Sequence, residues 1–202
     1  MGTPARIAAR FREDPSSAAA VGLALARGWL TLRWYRLRRF RVRAGRNFRI
    51  FGRLRLSGPG EVIFGDDVRI DMLVTPFTHD PSARIEIGNN CFLNGTRFGC
   101  YQSIRVGDHC ILAQAMLMDT NFHSTGANRH DPAAPIKVAP IVLEENVWVA
   151  AQAGLLPGTR IGRNSVVGFG AVCSGEFPAD VIIAGNPATV VRAIPGARGG
   201  TT

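Results

Sequence analysis

The chain has 202 residues, room for one domain with a sizeable core, and its composition gives no sign of a second. Its formal net charge is +9, but the excess sits in one segment. Arg27, Arg33, Arg36, Arg38, Arg39, Arg41, Arg43, Arg46 and Arg49 crowd there, with no acid between Pro15 and Gly60. No base-reading motif accompanies that charge, which disfavours nucleic acid as a partner. Cys91, Cys100, Cys110 and Cys173 form no CxxC pair and no zinc-ligand spacing, so reduced thiols in a cytoplasmic protein are expected.

Residues 1–47 read as a basic N-terminal arm, with a loose polar start over 1–15 and no secretory signal pattern. The stretch Ala18 to Tyr35 is apolar, but Arg27 and Arg33 interrupt it, which argues against a spanning helix. Ser16 or Ser17 can cap a helix in which Leu23, Ala26, Leu30, Trp34 and Leu37 recur at spacings of three and four. Arginines and two tryptophans flank that stripe. It suits peripheral contact with an anionic membrane through residues 16–49. It also suits packing on the rest of the chain or on a neighbouring subunit, and this second reading weighs more.

From Phe48 the pattern changes. Leu143, Val149, Leu155, Ile161, Val167 and Cys173 stand six apart, and small or β-branched residues (Val147, Ala153, Thr159, Ser165, Ala171) fall between them. A period of six fits neither the 3.6 of a helix nor one alternating strand. It predicts a stacked β-solenoid of short strands and turns over residues 48–176. About seven triangular coils fit, a stack of ~34 Å at ~4.8 Å per strand. The repeat is irregular over 50–81 and clear at Ile87, Cys91 and Leu93, then at Val106, Cys110 and Leu112. Ile87 and Val106 are one residue further apart than three units allow, which predicts a one-residue bulge near Cys100. The period fails over 121–139, where His123, Gly126, His130 and Pro132 mark an inserted loop. Phe177-Pro178 should stop the coils, leaving residues 177–202 as a cap, with 189–194 folded back over the open end, and a disordered tail.

His123 leaves the coils where that loop begins. An imidazole ionises near neutrality, so a histidine there can serve as a general base and then as a general acid. Asp119 and Asn121 precede it and could orient the ring, bind a substrate or simply form turns.

The segments VGDHCILAQAMLMDTNFH, NVWVAA and IIAGNPA resemble the hexapeptide-repeat acyltransferases, and the resemblance spans roughly residues 60–194. It implies an all-β fold, a left-handed parallel β-helix, here with an N-terminal amphipathic helix and a short C-terminal cap. It also implies a homotrimer with active sites between subunits and acetyl-CoA as co-substrate, with no metal. His123 matches the family's catalytic histidine, and Asn94 an asparagine that binds the acceptor sugar. The family's partner carboxylate falls near Tyr101 or Gln102, neither acidic, so acceptor recognition is expected to differ. On the donor side, Ala150, Gly168 and Gly170 would let pantetheine approach, and Ala151 could offer its N–H to the oxyanion. Phe169 is bulky where the family often has Ala. Ser174 and Gly175 replace a Thr-Lys pair, and Arg192 matches an arginine near the nucleotide phosphates. The histidine spacing does not reproduce that of the zinc carbonic anhydrases of similar fold. The function expected is a CoA-dependent O-acetyltransferase acting on a sugar or glycan of capsule, exopolysaccharide or lipopolysaccharide type, by direct attack without an acyl-enzyme. The alternatives are an N-acetyltransferase on an amino sugar and a non-catalytic scaffold. The expected location is cytoplasmic, at the inner membrane face if the arm binds lipid.

Overall fold

The computed structural model describes residues 15–195. The loose start and the disordered tail expected from the sequence fall almost wholly outside those residues. Helix α1 (Pro15–Leu37) precedes 21 strands that wind into about seven coils. The first coil holds β1 (Arg41–Ala44), β2 (Arg49–Ile50) and β3 (Arg53–Leu54). The second holds β4 (Glu61–Phe64), β5 (Arg69–Asp71) and β6 (Leu73–Thr78). The third holds β7 (Arg84–Ile87), β8 (Phe92–Asn94) and β9 (Arg97–Cys100), and the fourth β10 (Ser103–Val106), β11 (Ile111–Ala113) and β12 (Met116–Met118). After the inserted loop come β13 (Ile141–Leu143), β14 (Trp148–Val149) and β15 (Gly154–Leu155), then β16 (Arg160–Ile161), β17 (Val166–Val167) and β18 (Val172–Cys173). The last coil is β19 (Glu176–Phe177) and β20 (Val181–Gly185), and β21 (Ala188–Ala193) folds back antiparallel on β20.

Corresponding strands of successive coils pair in parallel, giving three flat faces. The register sets Leu143 on Ile161, Val149 on Val167 and Leu155 on Cys173, so each six-residue apolar position becomes a column running up the interior. Every one of those six side chains is buried. Burying such a side chain is worth about 1.5–3 kcal/mol, and the columns repeat that gain coil after coil. At the corner between the first and second faces the backbone turns through positive φ at Asn47, Asp67, Asn90, His109, Asn146, Asn164 and Asp180. Asn, Asp and His tolerate that region best. Their side chains also form a ladder, Asn146 donating to Asn164 at 3.0 Å and Asn164 to Asp180 at 2.7 Å.

The coils extend beyond both expected limits. The first begins at Arg41, not near Phe48, because β1 pairs with β4 (Val42 on Val62) and Arg43 bridges to Glu61 at 2.8 Å. They also continue past Glu176 through β20 before β21 closes the end. The irregularity near Cys100 is a pair of offsetting changes. Leu93 to Phe98 spans five residues where Val149 to Leu155 spans six, and the corner after Phe98 is longer by two. The short corner recurs between Leu112 and Leu117.

Helix α1 lies against the first coil, with Ala24, Leu32 and Tyr35 buried. Gly28 allows the close approach, since a Cβ there would collide with the Phe48 carbonyl. The Tyr35 hydroxyl donates to Leu54 O at 3.1 Å and accepts the Leu56 N–H at 3.0 Å, satisfying backbone groups beside the coil edge. Arg27 donates to the carbonyls of Phe51 and Gly52. The stripe read from the sequence is thus not the packed face: Leu23, Leu30, Trp34 and Leu37 point outward. Among the described residues no helix is long and apolar enough to cross a membrane.

Candidate active site on the third face

The loop over 121–139 leaves the solenoid after β12, and its two ends are tied together at the base. Asn121 N–H donates to Lys137 O at 3.1 Å and Ala139 N–H to Asp119 O at 2.9 Å, with a bridge between Thr120 and Val138. Asp119 itself is fully buried. Its carboxylate accepts the backbone N–H groups of Tyr101 at 2.6 Å and Gln102 at 2.8 Å, and lies 3.5 Å from the Cys100 thiol. Burial, with the Asp119 carboxylate beside it, pushes the Cys100 thiol well above its ordinary range. Asp119 therefore pins the long corner after β9 to the root of the loop. None of its described hydrogen bonds reaches His123.

What the loop delivers is Asn121, Phe122 and His123, which form one wall of a cavity of about 1120 Å3 over the third face of the first four coils. Phe122 takes positive φ and its N–H is held by Thr120 Oγ1 at 3.0 Å. Its ring packs against Phe77 and His79, and His79 stacks on Tyr101 with centroids 5.1 Å apart. Opposite, the corners between the second and third faces supply Met72, Gly95 and Gln114. The floor includes Leu73, Phe77 and Phe98, and Arg55 and Arg97 also line the space. The lining holds two arginines and two histidines but no carboxylate, and neither arginine is salt-bridged among the described residues. An anion entering it would meet no repulsion from the wall.

Of the residues singled out from the sequence, His123 and Asn121 share this cavity. Asp119 is the anchor beneath them. Gln102 sits on the corner that Asp119 holds, outside the lining. Asn94 is also outside it, next to the lining residue Gly95, and its buried Oδ1 has no hydrogen-bond partner. Ala151 and Phe169 stand at the second-to-third-face corner of later coils, in line with Gln114, and Phe169 is 69% exposed. Ser174 and Gly175 are exposed at the far corner of the third face, and Arg192 is exposed on β21 opposite Ile182. Between those corners the later coils present Met116, Gly154 and Val172, an apolar strip that a Cβ on Gly154 would leave open.

Sequence reasoning missed His79, Phe77, Arg55 and Arg97. They lie where the six-residue period is blurred, so no column marked their orientation. The alternation within β6, with Val74, Pro76 and Thr78 inward, would have turned Phe77 and His79 outward onto one face.

Residues 140–175 match the family model "Bacterial transferase hexapeptide (six repeats)". A galactoside O-acetyltransferase of Lactococcus lactis is 30% identical over 131 residues, covering 54% of this chain and 63% of that protein. The chain thus spans less than two thirds of that relative's length. Among solved structures, AntD, an N-acyltransferase from Bacillus cereus in complex with dTDP and coenzyme A, aligns with TM-score 0.65 at 18% identity, covering 79% of this chain and 88% of that one. The polysialic acid O-acetyltransferase OatWY aligns with TM-score 0.58 at 22% identity, covering 79% and 78%. These two likenesses are of fold. Residues 140–175 thus carry the bacterial transferase hexapeptide repeat, and the solenoid around them shares its fold with these two acyltransferase structures.

Proposed function

We propose that the protein moves an acetyl group from acetyl-CoA to a hydroxyl of a glycan, with His123 as general base. The observation that carries this reading is His123 on the cavity wall beside Asn121, at the root of a loop anchored by a buried carboxylate. The match to the hexapeptide repeat and the likeness to a galactoside O-acetyltransferase support it.

In the reaction the acceptor oxygen attacks the thioester carbonyl as its proton passes to the His123 imidazole. The C–S bond then breaks, and the imidazolium returns the proton to the departing thiolate. The apolar strip of Met116, Gly154 and Val172 suits a pantetheine arm; in this reading the Ala151 N–H serves the oxyanion and Arg192 meets phosphate. Ser174 and Gly175 add no charge there. The cavity has an open side, which a second subunit of a homotrimer would close. Dependence on acetyl-CoA fits a cytoplasmic protein. The two unpaired arginines and the absence of any lining carboxylate favour an acceptor bearing a carboxylate or phosphate.

The test is release of free CoA from acetyl-CoA in the presence of acidic and neutral oligosaccharides. His123→Ala should lower turnover by roughly 10²–10⁴-fold with an unchanged melting temperature. Arg97→Ala should raise KM for the acidic acceptor without altering that for a neutral one. Turnover untouched by His123→Ala would remove the base from the mechanism, and a product stable to mild base would mark an amide in place of an ester.

A further inference from the structure

Helix α1 is apolar on two opposite faces, and the solenoid covers one. Ala24, Gly28, Leu32 and Tyr35, at spacings of four, four and three, are buried on the first coil. Leu23, Leu30 and Leu37 recur every seven residues on the other side, with Trp34 among them. They are 61%, 57%, 83% and 50% exposed. Large apolar side chains aligned over about four helical turns do not remain in water without a reason.

The flanks say what covers them. Arg33 sits with its guanidinium 4.9 Å from the Trp29 ring centroid, and Arg38 lies 4.8 Å from that of Trp34. Both are exposed and neither is salt-bridged among the described residues, and the nearest acids in the sequence are Asp14 and Glu61. An apolar stripe bordered by tryptophan and arginine matches the layered chemistry of a membrane surface. Hydrocarbon lies innermost, aromatic rings belong at the headgroup level, and cations belong among phosphates. A second copy of the same face would set Arg33 and Arg38 against their own kind. Nucleic acid would satisfy the arginines and leave the leucines wet.

We infer that the outward face of α1 docks on an anionic lipid surface, with Leu23, Leu30, Trp34 and Leu37 in the interface and Arg33 and Arg38 on its phosphates. The helix lies along the surface, and the hydrogen bonds of Tyr35 and Arg27 to the first coil tie the solenoid to it. The inference is independent of the acetyl-transfer reading, since it uses no residue of the cavity.

Vesicle cosedimentation of the full chain tests it. The protein should sediment with phosphatidylglycerol vesicles and stay in solution with phosphatidylcholine vesicles. Leu30→Glu with Leu37→Glu should abolish sedimentation, and Arg33→Gln with Arg38→Gln should weaken it by about tenfold or more at low ionic strength. All four positions are exposed, so melting temperatures should hold. Absence of binding to phosphatidylglycerol, or binding by both variants equal to the parent's, overturns the inference. So does a lipid-free particle that the leucine variant splits into smaller ones, because the face would then join copies of the chain.

Discussion

Asp119 accepts the backbone N–H of Tyr101 at 2.6 Å across eighteen residues of sequence, and this contact fastens the inserted loop to the coil below it. The second oxygen takes the Gln102 N–H at 2.8 Å. Asp119→Ala would leave two amides without their acceptor at a buried position. The expected cost is about 2–5 kcal/mol in urea unfolding, with easier proteolytic cleavage within 121–139. Asp119→Asn keeps one acceptor oxygen and should cost less. Cleavage and stability unchanged in the alanine variant would show that the loop is held by something else.

Gly99 faces the same cavity from below. A methyl group there would press on Met118 Sδ and stand 2.9 Å from Phe122 Cε2. Both neighbours are ends of movable side chains, so Gly99→Ala should cost only about 1–2 kcal/mol. The displaced ring, however, belongs to the wall that carries His123. The acceptor KM should rise several-fold with little change in kcat, and steady-state kinetics with the acceptor varied would read the difference. Equal loss of kcat and kcat/KM would place the damage at His123 itself.

The coils were legible because each six-residue unit puts one large apolar residue inward, and Leu143 to Cys173 repeats this without interruption. The cavity was less legible because it is made where that regularity lapses. The five-residue corner at Gly95 and the long corner after Cys100 combine to a single extra residue, so counting from Ile87 to Val106 finds the sum and hides its parts. His123 was found through the broken period, whereas Arg55 and Arg97 gave no signal, since an arginine on an outward strand position is ordinary. Asp119 shows a different limit: spacing brings it near His123 but cannot say that its oxygens are already engaged by Tyr101 and Gln102. The helix stripe was legible from its spacing, but the face that packs on the first coil is the one opposite it. Its smaller companion face, built on Ala24 and Gly28, packs closer to the coil than leucines could.

Tyr35→Phe tests that attachment. The substitution keeps the ring between Trp34 and Phe40 and removes only the hydroxyl that serves Leu54 O and Leu56 N–H. Two backbone groups then lose their partner, at an expected cost of about 1–3 kcal/mol. Amide exchange should quicken at Leu56 and along α1 and stay unchanged in the coils around Leu155. A uniform change throughout would mean that the helix and solenoid open together.

Acid should loosen the early coils. The Arg46 side chain, at 2.6 and 2.9 Å, and the Arg46 backbone N–H hold the Asp66 carboxyl below its usual range. Ser82 does the same for Asp80 through its hydroxyl and its N–H. A carboxylate with a lowered folded pKa contributes stability that is whole above its unfolded value, about 3.9, and is lost as pH falls through the folded one. Tm should therefore be level near neutrality and fall below about pH 4. Asp66→Asn should lower Tm at pH 7 and make the acid-side fall shallower. Both carboxylates are half-buried at most, with water close by, so the effect is small, and salt should shrink the Asp66 part, which involves an ion pair, more than the Asp80 part. Melting curves of the parent, Asp66→Asn and Asp80→Asn from pH 7 to 2.5, at low and high salt, read all three expectations. An acid-side slope that both substitutions leave untouched would assign the loss to other carboxylates.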